Sequence, residues 1–197
     1  MNLTAGEDVP DDFPANTLFS AGIHPWQLTG HNHEQLQTEL ILTAAHPHIV
    51  MIGEAGFDRL KGVQGDVQYT VFMFQASIAA EMNKPMVIHC VRGWEELLHA
   101  YREAKPVRPW VIHGFRGSSK LAASLSDDGF WFSLGVEGIT TDILNAVSHN
   151  RIMLETDDSG RSIADVYSLF AKTAAYTEEE AGNLIRKNFN SLFNYGL

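Results

Sequence analysis

Residues 51–58, Met51-Ile52-Gly53-Glu54-Ala55-Gly56-Phe57-Asp58, form a short apolar run that ends on carboxylates. The composition is that of a buried strand, and Glu and Asp are residue types that hold divalent cations. Three later runs have the same form: 85–90 (PMVIHC), 109–115 (PWVIHGF) and 151–158 (RIMLETDD). The candidate ligands at their ends are Glu54, His89, His113 and Asp157. Any one of them alone is an ordinary hydrogen-bonded strand-end side chain. Four in series along an α/β chain give the pattern of a barrel that carries a metal at one mouth.

The 197 residues, 45% apolar and 19% charged, suit a single domain over 1–197 with a sizeable core. A formal net charge of −10 argues against a protein that grips nucleic acid through a broad basic surface. A phosphodiester substrate stays open, because bound divalent cations supply local positive charge. No apolar run approaches the ~20 residues of a membrane span, so no membrane partner is expected. Residues 1–30 carry acidic groups and lack the basic start of a signal peptide. Cys90 is the one cysteine, so no intrachain disulfide can form and a cytoplasmic location is expected.

Strand and helix signals alternate outward from the opening run. Strands are expected at 17–23, 49–54, 86–90, 110–114, 130–134 and 151–156, all short and rich in Val, Ile, Phe or Trp. Helices are expected near 33–45, 66–82, 94–104, 119–126, 139–148, 162–173 and 178–193. The last opens on Thr177-Glu178-Glu179-Glu180, which fits a capping box. Alternation without hairpin signals indicates parallel βαβ units. An open doubly wound sheet satisfies the same pattern; a closed ring is preferred because it brings ligands from four strand ends around one mouth. Six strands fall short of a barrel's eight, and residues 1–16 show neither strand nor helix. The expectation is therefore an α/β TIM barrel of metallo-dependent hydrolase type, incomplete or distorted, with about six parallel strands and its N-terminal strand or strands missing.

These motifs resemble the TatD family of metal-dependent hydrolases over about residues 20–193. Ala21-Gly22-Ile23-His24-Pro25-Trp26 is similar to the family's Gly-x-His-Pro segment, and 52–58 to its Gly-Glu-x-Gly-Leu-Asp segment, with Phe57 in place of Leu. Gln68, Phe72 and Gln75 reproduce the spacing of the helix that follows. His89 and His113 match two histidine strands, Leu154-Glu155-Thr156-Asp157 matches a Glu-Thr-Asp signature, and Asn188-Phe189 with Leu192-Phe193 matches the closing motif. The resemblance implies a TIM-barrel enzyme that hydrolyses phosphodiesters, deoxyribonuclease-like, by a metal-activated water. DNA or a small phosphodiester is then the implied substrate, and zinc, manganese or magnesium the implied cofactor. A related amide, ester or lactone hydrolase and a metal-binding protein with little catalysis are the alternatives.

Residue by residue, the resemblance implies that Glu54 bridges two ions, His89 and His113 complete one site, and Asp157 belongs to the other as ligand and general base. His24 and Arg92 are implied substrate contacts, although Arg92 stands three residues beyond His89 where the family commonly has Arg two beyond. Family members complete the second site with a His-x-His on their first strand. Here that spacing occurs only at His31-Asn32-His33 and His46-Pro47-His48, both expected on the surface. One well-held ion and a weak or empty second site are therefore expected. Barrel edges left uncovered by an absent strand suit either a monomer whose N-terminal segment folds across the gap or a homodimer.

Overall fold

The computed structural model describes residues 1–30, 32–63 and 65–193. In chain order the elements are β1 (Asn2–Thr4), β2 (Phe19–Gly22), a 3-10 turn (Pro25–Leu28), α1 (His33–Ala44), β3 (Ile49–Asp58), α2 (Asp66–Glu81), β4 (Met86–Val91) and α3 (Trp94–Ala104). They continue with β5 (Trp110–Ile112), α4 (Ser119–Asp128), β6 (Trp131–Leu134), α5 (Thr141–Ala146), a second 3-10 turn (His149–Arg151), β7 (Ile152–Leu154), α6 (Ile163–Ala174) and α7 (Glu178–Phe193). The chain divides into two compact units, Met1–Trp110 and Val111–Leu197.

All six expected strands form, and β1 is a seventh, in a segment where sequence shows none. Three residues are too few for a periodicity signal. Pairing creates this strand: Asn2, Leu3 and Thr4 lie parallel to Ser20, Ala21 and Gly22 of β2. In the first unit β2 then pairs with β3, and β3 with β4, all parallel. In the second unit β5, β6 and β7 pair in parallel, Val111 opposite Trp131 and Phe132 opposite Ile152.

Local chemistry sets the helix ends. Ser118 accepts from the Leu121 amide to open α4, and Gly129 closes it at φ +106°. Ser162 and Asp165 cap α6 reciprocally. Thr177 and Glu180 do the same for α7, the Thr177 amide and hydroxyl donating to Glu180 and the Glu180 amide to Thr177.

Apolar burial holds each unit. Phe19, Ile23, Leu40, Ile49, Ile52, Phe72, Met86 and Ile88 are fully buried in the first, and Phe115, Phe130, Phe132 and Phe170 in the second. Each such side chain contributes about 1.5–3 kcal/mol by leaving water. The pairing of β3 with β4 steps from Ile52–Met86 to Ala55–Ile88, so three residues advance on β3 against two on β4. This bulge falls at Gly53-Glu54 and interrupts the regular alternation of faces where the carboxylate is presented. Beyond it Gly56 lies against His89, and a Cβ there would strike the His89 carbonyl oxygen.

Two buried glutamines of α2 brace the strand ends. Gln68, Phe72 and Gln75 share one helical face. Gln75 accepts from the Ile23 amide (2.7 Å) and donates to the Ile23 carbonyl (3.0 Å). Gln68 pairs in the same way with Asp58, accepting from its amide (2.9 Å) and donating to its carbonyl (3.0 Å). Each side-chain amide thus acts as a peptide group where the ladder has none to offer. Gln75→Leu would leave both Ile23 groups unsatisfied, at about 1–3 kcal/mol each. Urea denaturation should register a loss of that order, and an unchanged midpoint would refute this bracing.

Candidate metal centre

In the first unit the end of β2, the bulge of β3 and the end of β4 bring His24, Glu54 and His89 together, their ligand-type atoms within 4.8 Å of one another. Glu54 Oε1 lies 2.7 Å from His89 Nδ1 and 3.3 Å from His24 Nε2. The rings of His24 and His89 meet edge to face at 4.4 Å between centroids.

The two histidines are held differently. His24 caps the 3-10 turn, its Nδ1 accepting from the Trp26 amide at 3.2 Å while its own amide donates to Gln27. An acceptor at Nδ1 leaves the neutral ring's proton on Nε2, the atom that faces Glu54. His89 has carboxylates at both nitrogens, Glu54 at Nδ1 and Asp58 Oδ2 at Nε2, the latter at 3.3 Å. A histidine flanked on its far side by a carboxylate is the arrangement that orients a metal-binding imidazole. The Glu54 backbone is fixed as well: its amide donates to Asn2 Oδ1 (2.8 Å), which also accepts from the Ser20 hydroxyl.

Asp58 is 2% exposed. Its Oδ2 accepts from Trp26 Nε1 at 2.7 Å, and its Oδ1 from the Leu60 and Lys61 amides at 2.8 and 2.9 Å. Burial pushes this carboxyl up, but hydrogen bonds from Trp26, Leu60, His89 and Lys61 outweigh burial and hold it below its ordinary value. Burial pushes the neighbouring Cys90 thiol up to about 12.

In the second unit His113, Glu155 and Asp157 form a second group of the same reach. Glu155 Oε1 accepts from the Gly114 amide at 2.7 Å and lies 3.7 Å from His113 Nδ1. Asn188 of α7 braces β7 by donating to the Ile152 carbonyl at 2.7 Å and the His149 carbonyl at 2.8 Å. Asp157 is exposed, with φ +44°. It lines a cleft of about 290 Å³ with Glu155, Arg116 and Glu137, the last two paired at 2.8 Å.

The expected metal-type residues fall into two groups. Glu54 and His89 meet, joined by His24 rather than only flanked by it. His113 and Asp157 meet within the second unit, joined by Glu155. Arg92 is exposed just after β4 and has φ +57°. Sequence reasoning assigned no role to Glu155, although it stands in the Glu-Thr-Asp motif, and none to Asp58, the last residue of the opening run. Asn2 gives no signal at all. Of the surface histidines, His46 and His48 are exposed, His33 bonds the Leu28 carbonyl, and His31 lies outside the described residues.

The fold is of the TatD TIM-barrel class. It is similar to the crystal structure of YJJV, a TatD homolog from Escherichia coli K12, with a TM-score of 0.73 at 24% identity, covering 90% of this chain and 78% of that one. The chain belongs to the TatD related DNase family, which matches residues 5–194. It is 29% identical over 169 residues to the 3'-5' ssDNA/RNA exonuclease TatD of Rahnella sp., which covers 77% of this chain and 60% of that protein. It is 27% identical over 201 residues to the uncharacterized metal-dependent hydrolase YcfH of Escherichia coli K12, covering 90% of this chain and 74% of that one. The chain thus spans well under the full length of both relatives.

Asp58→Asn should cost about 1.5–3 kcal/mol at neutral pH, since an amide cannot accept from all of these donors. Because the folded-state value is lowered, Asp58's contribution is present above the ordinary carboxyl value of 3.8 and is lost as pH falls through the lowered one. The variant should lack that part of the acid limb in urea denaturation between about pH 2 and 7. An identical acid limb in both proteins would exclude this role.

Proposed function

We propose that the chain is a metal-dependent hydrolase of phosphodiester bonds, nuclease-like, with a single catalytic domain spanning both units. The observation that carries this reading is the His24–Glu54–His89 group, with Asp58 behind His89. Two imidazoles and a carboxylate suit zinc or manganese, and three protein ligands leave a coordination position for water. Glu54 Oε1 already faces a nitrogen of each ring, and the His24 cap and the Asp58 contact fix both ring planes before any ion arrives. The donors present therefore fit a divalent cation.

His113, Glu155 and Asp157 are proposed as the second group of cation ligands. One imidazole and two carboxylates form a harder set, suited to manganese or magnesium. Gly114 occupies one lone pair of Glu155 and holds it in place. A bound divalent ion supplies Lewis acidity and lowers the pKa of water toward neutrality.

The remaining chemistry falls to side chains. Asp157, exposed on the cleft, is the proposed acceptor of a proton from water. Arg92, exposed at the strand end that carries His89, is the proposed partner of a phosphate oxygen. Single-stranded DNA or RNA is the proposed substrate class, drawn from the activity named for the Rahnella relative. A cytoplasmic setting is part of the proposal and rests on the lone thiol, Cys90. Among the described residues no helix is long and apolar enough to cross a membrane.

Titration of the metal-stripped protein with zinc or manganese, followed by assay on an oligonucleotide, tests the reading. Glu54→Gln and His113→Ala should each lower metal affinity or turnover at least as much as the ~10–100-fold lost with an outer-shell partner. Turnover unchanged in both variants would overturn the proposal.

A further inference from the structure

Trp26 has a position that the metal ligands do not explain. Of the chain's tryptophans, Trp110 and Trp131 are 2% and 8% exposed, whereas Trp26 is 46% exposed. An isolated exposed ring needs no special account, but this one is anchored. Its indole N–H donates to the buried Asp58 carboxylate that also contacts His89. Its ring stands edge-on to His24 at 4.7 Å and to His89 at 5.8 Å between centroids. The Lys61 ammonium lies 3.5 Å from the ring centroid.

The loop that supplies Lys61 is built for that contact. Asp58 Oδ1 fixes the Leu60 and Lys61 amides. Gly62, at φ +82°, passes so near the turn that a Cβ there would lie 2.6 Å from the Pro25 carbonyl oxygen. One carboxylate thus holds a candidate metal ligand, an exposed aromatic ring and the lysine loop beside it.

We infer that Trp26 is a base-stacking residue that sets the enzyme's preference for nucleotides, with Lys61 as its phosphate-pairing companion. The inference rests on the hydrolase reading of the same site. A cation–π contact on an exposed indole face is weak in water, so a nucleobase can compete for that face. A nucleobase offers the ring a larger flat surface, and stacking accepts any base because every base has a π face. The displaced ammonium then has a phosphate oxygen as its partner. An unpaired nucleotide meets both demands, whereas a base inside a duplex keeps its faces on its neighbours. The fixed indole N–H keeps the ring in one plane, so little side-chain freedom is lost on stacking.

Binding of mononucleotide products tests this without turnover. Thymidine 5'-monophosphate and the base-free deoxyribose 5-phosphate are titrated into zinc-loaded protein and followed by tryptophan fluorescence and calorimetry. The wild type should prefer the nucleotide about tenfold or more, in the range that one stacked base contributes, and its fluorescence should be quenched. Trp26→Ala should bring the preference close to one. Trp26→Phe should keep most of the preference but lose the quenching. Lys61→Ala should weaken both ligands alike.

Equal binding of the two ligands to the wild type, or an undiminished preference in Trp26→Ala, would overturn the inference. Hydrolysis of an oligothymidylate is measured alongside. A Trp26-dependent preference without hydrolysis would sink the hydrolase reading and leave the stacking role standing. Hydrolysis without such a preference would do the reverse.

Discussion

The Asp58 carboxylate is the constraint on which the first unit's site depends. A buried carboxylate is tolerated only where hydrogen bonds replace its lost hydration. Asp58 meets that condition with donors from three separate pieces of chain: the indole of Trp26, the amides of Leu60 and Lys61, and the imidazole of His89. Those pieces follow β2, follow β3 and lie on β4. A lone buried charge is expensive, so each donor is held by the cost of leaving it. The same carboxylate that sets the His89 ring plane therefore sets the loop and the exposed ring beside it.

Strand ends that present ligands face a second constraint. A parallel ladder stops at the mouth, and backbone groups just beyond it lose their partners. Side-chain amides fill that role here. Gln75 pairs with Ile23 beside His24, Gln68 with the Asp58 backbone, and Asn2 with the Glu54 amide at the β3 bulge. An amide carries both a donor and an acceptor, and on a helix it is placed to within the rigidity of the helix. Gln75 and Asn2 hold the backbone beside His24 and at Glu54.

What sequence made legible was whatever repeats or punctuates. Strand–helix alternation and the capping box at Thr177 are local signals, and each appears where expected. The short β1 was not legible, because three residues carry no period and exist as a strand only through β2. The grouping of ligands was not legible either. His24 is implied only as a substrate contact, and nothing in its neighbours reveals that Glu54 lies 3.3 Å away. Glu155 was overlooked for a related reason. On a regular strand it shares a face with Asp157, but its partner, the Gly114 amide, is 41 residues distant, and only tertiary structure supplies that pairing.

His24 caps a turn and still offers a second nitrogen to a cation. A cap uses one acceptor atom, and imidazole has two nitrogens with separate directions. The Trp26 amide takes Nδ1, which fixes the tautomer and turns Nε2 toward Glu54. Pro25 favours the extended backbone of the preceding residue, and His24 has φ −67° and ψ 142°. Its missing N–H costs nothing at the first position of a turn. A His-Pro pair at the end of a strand thus gives a pre-oriented imidazole from local sequence alone. Glu54 must instead be brought in by a bulge in β3 and held by Asn2, contacts that no local pattern encodes.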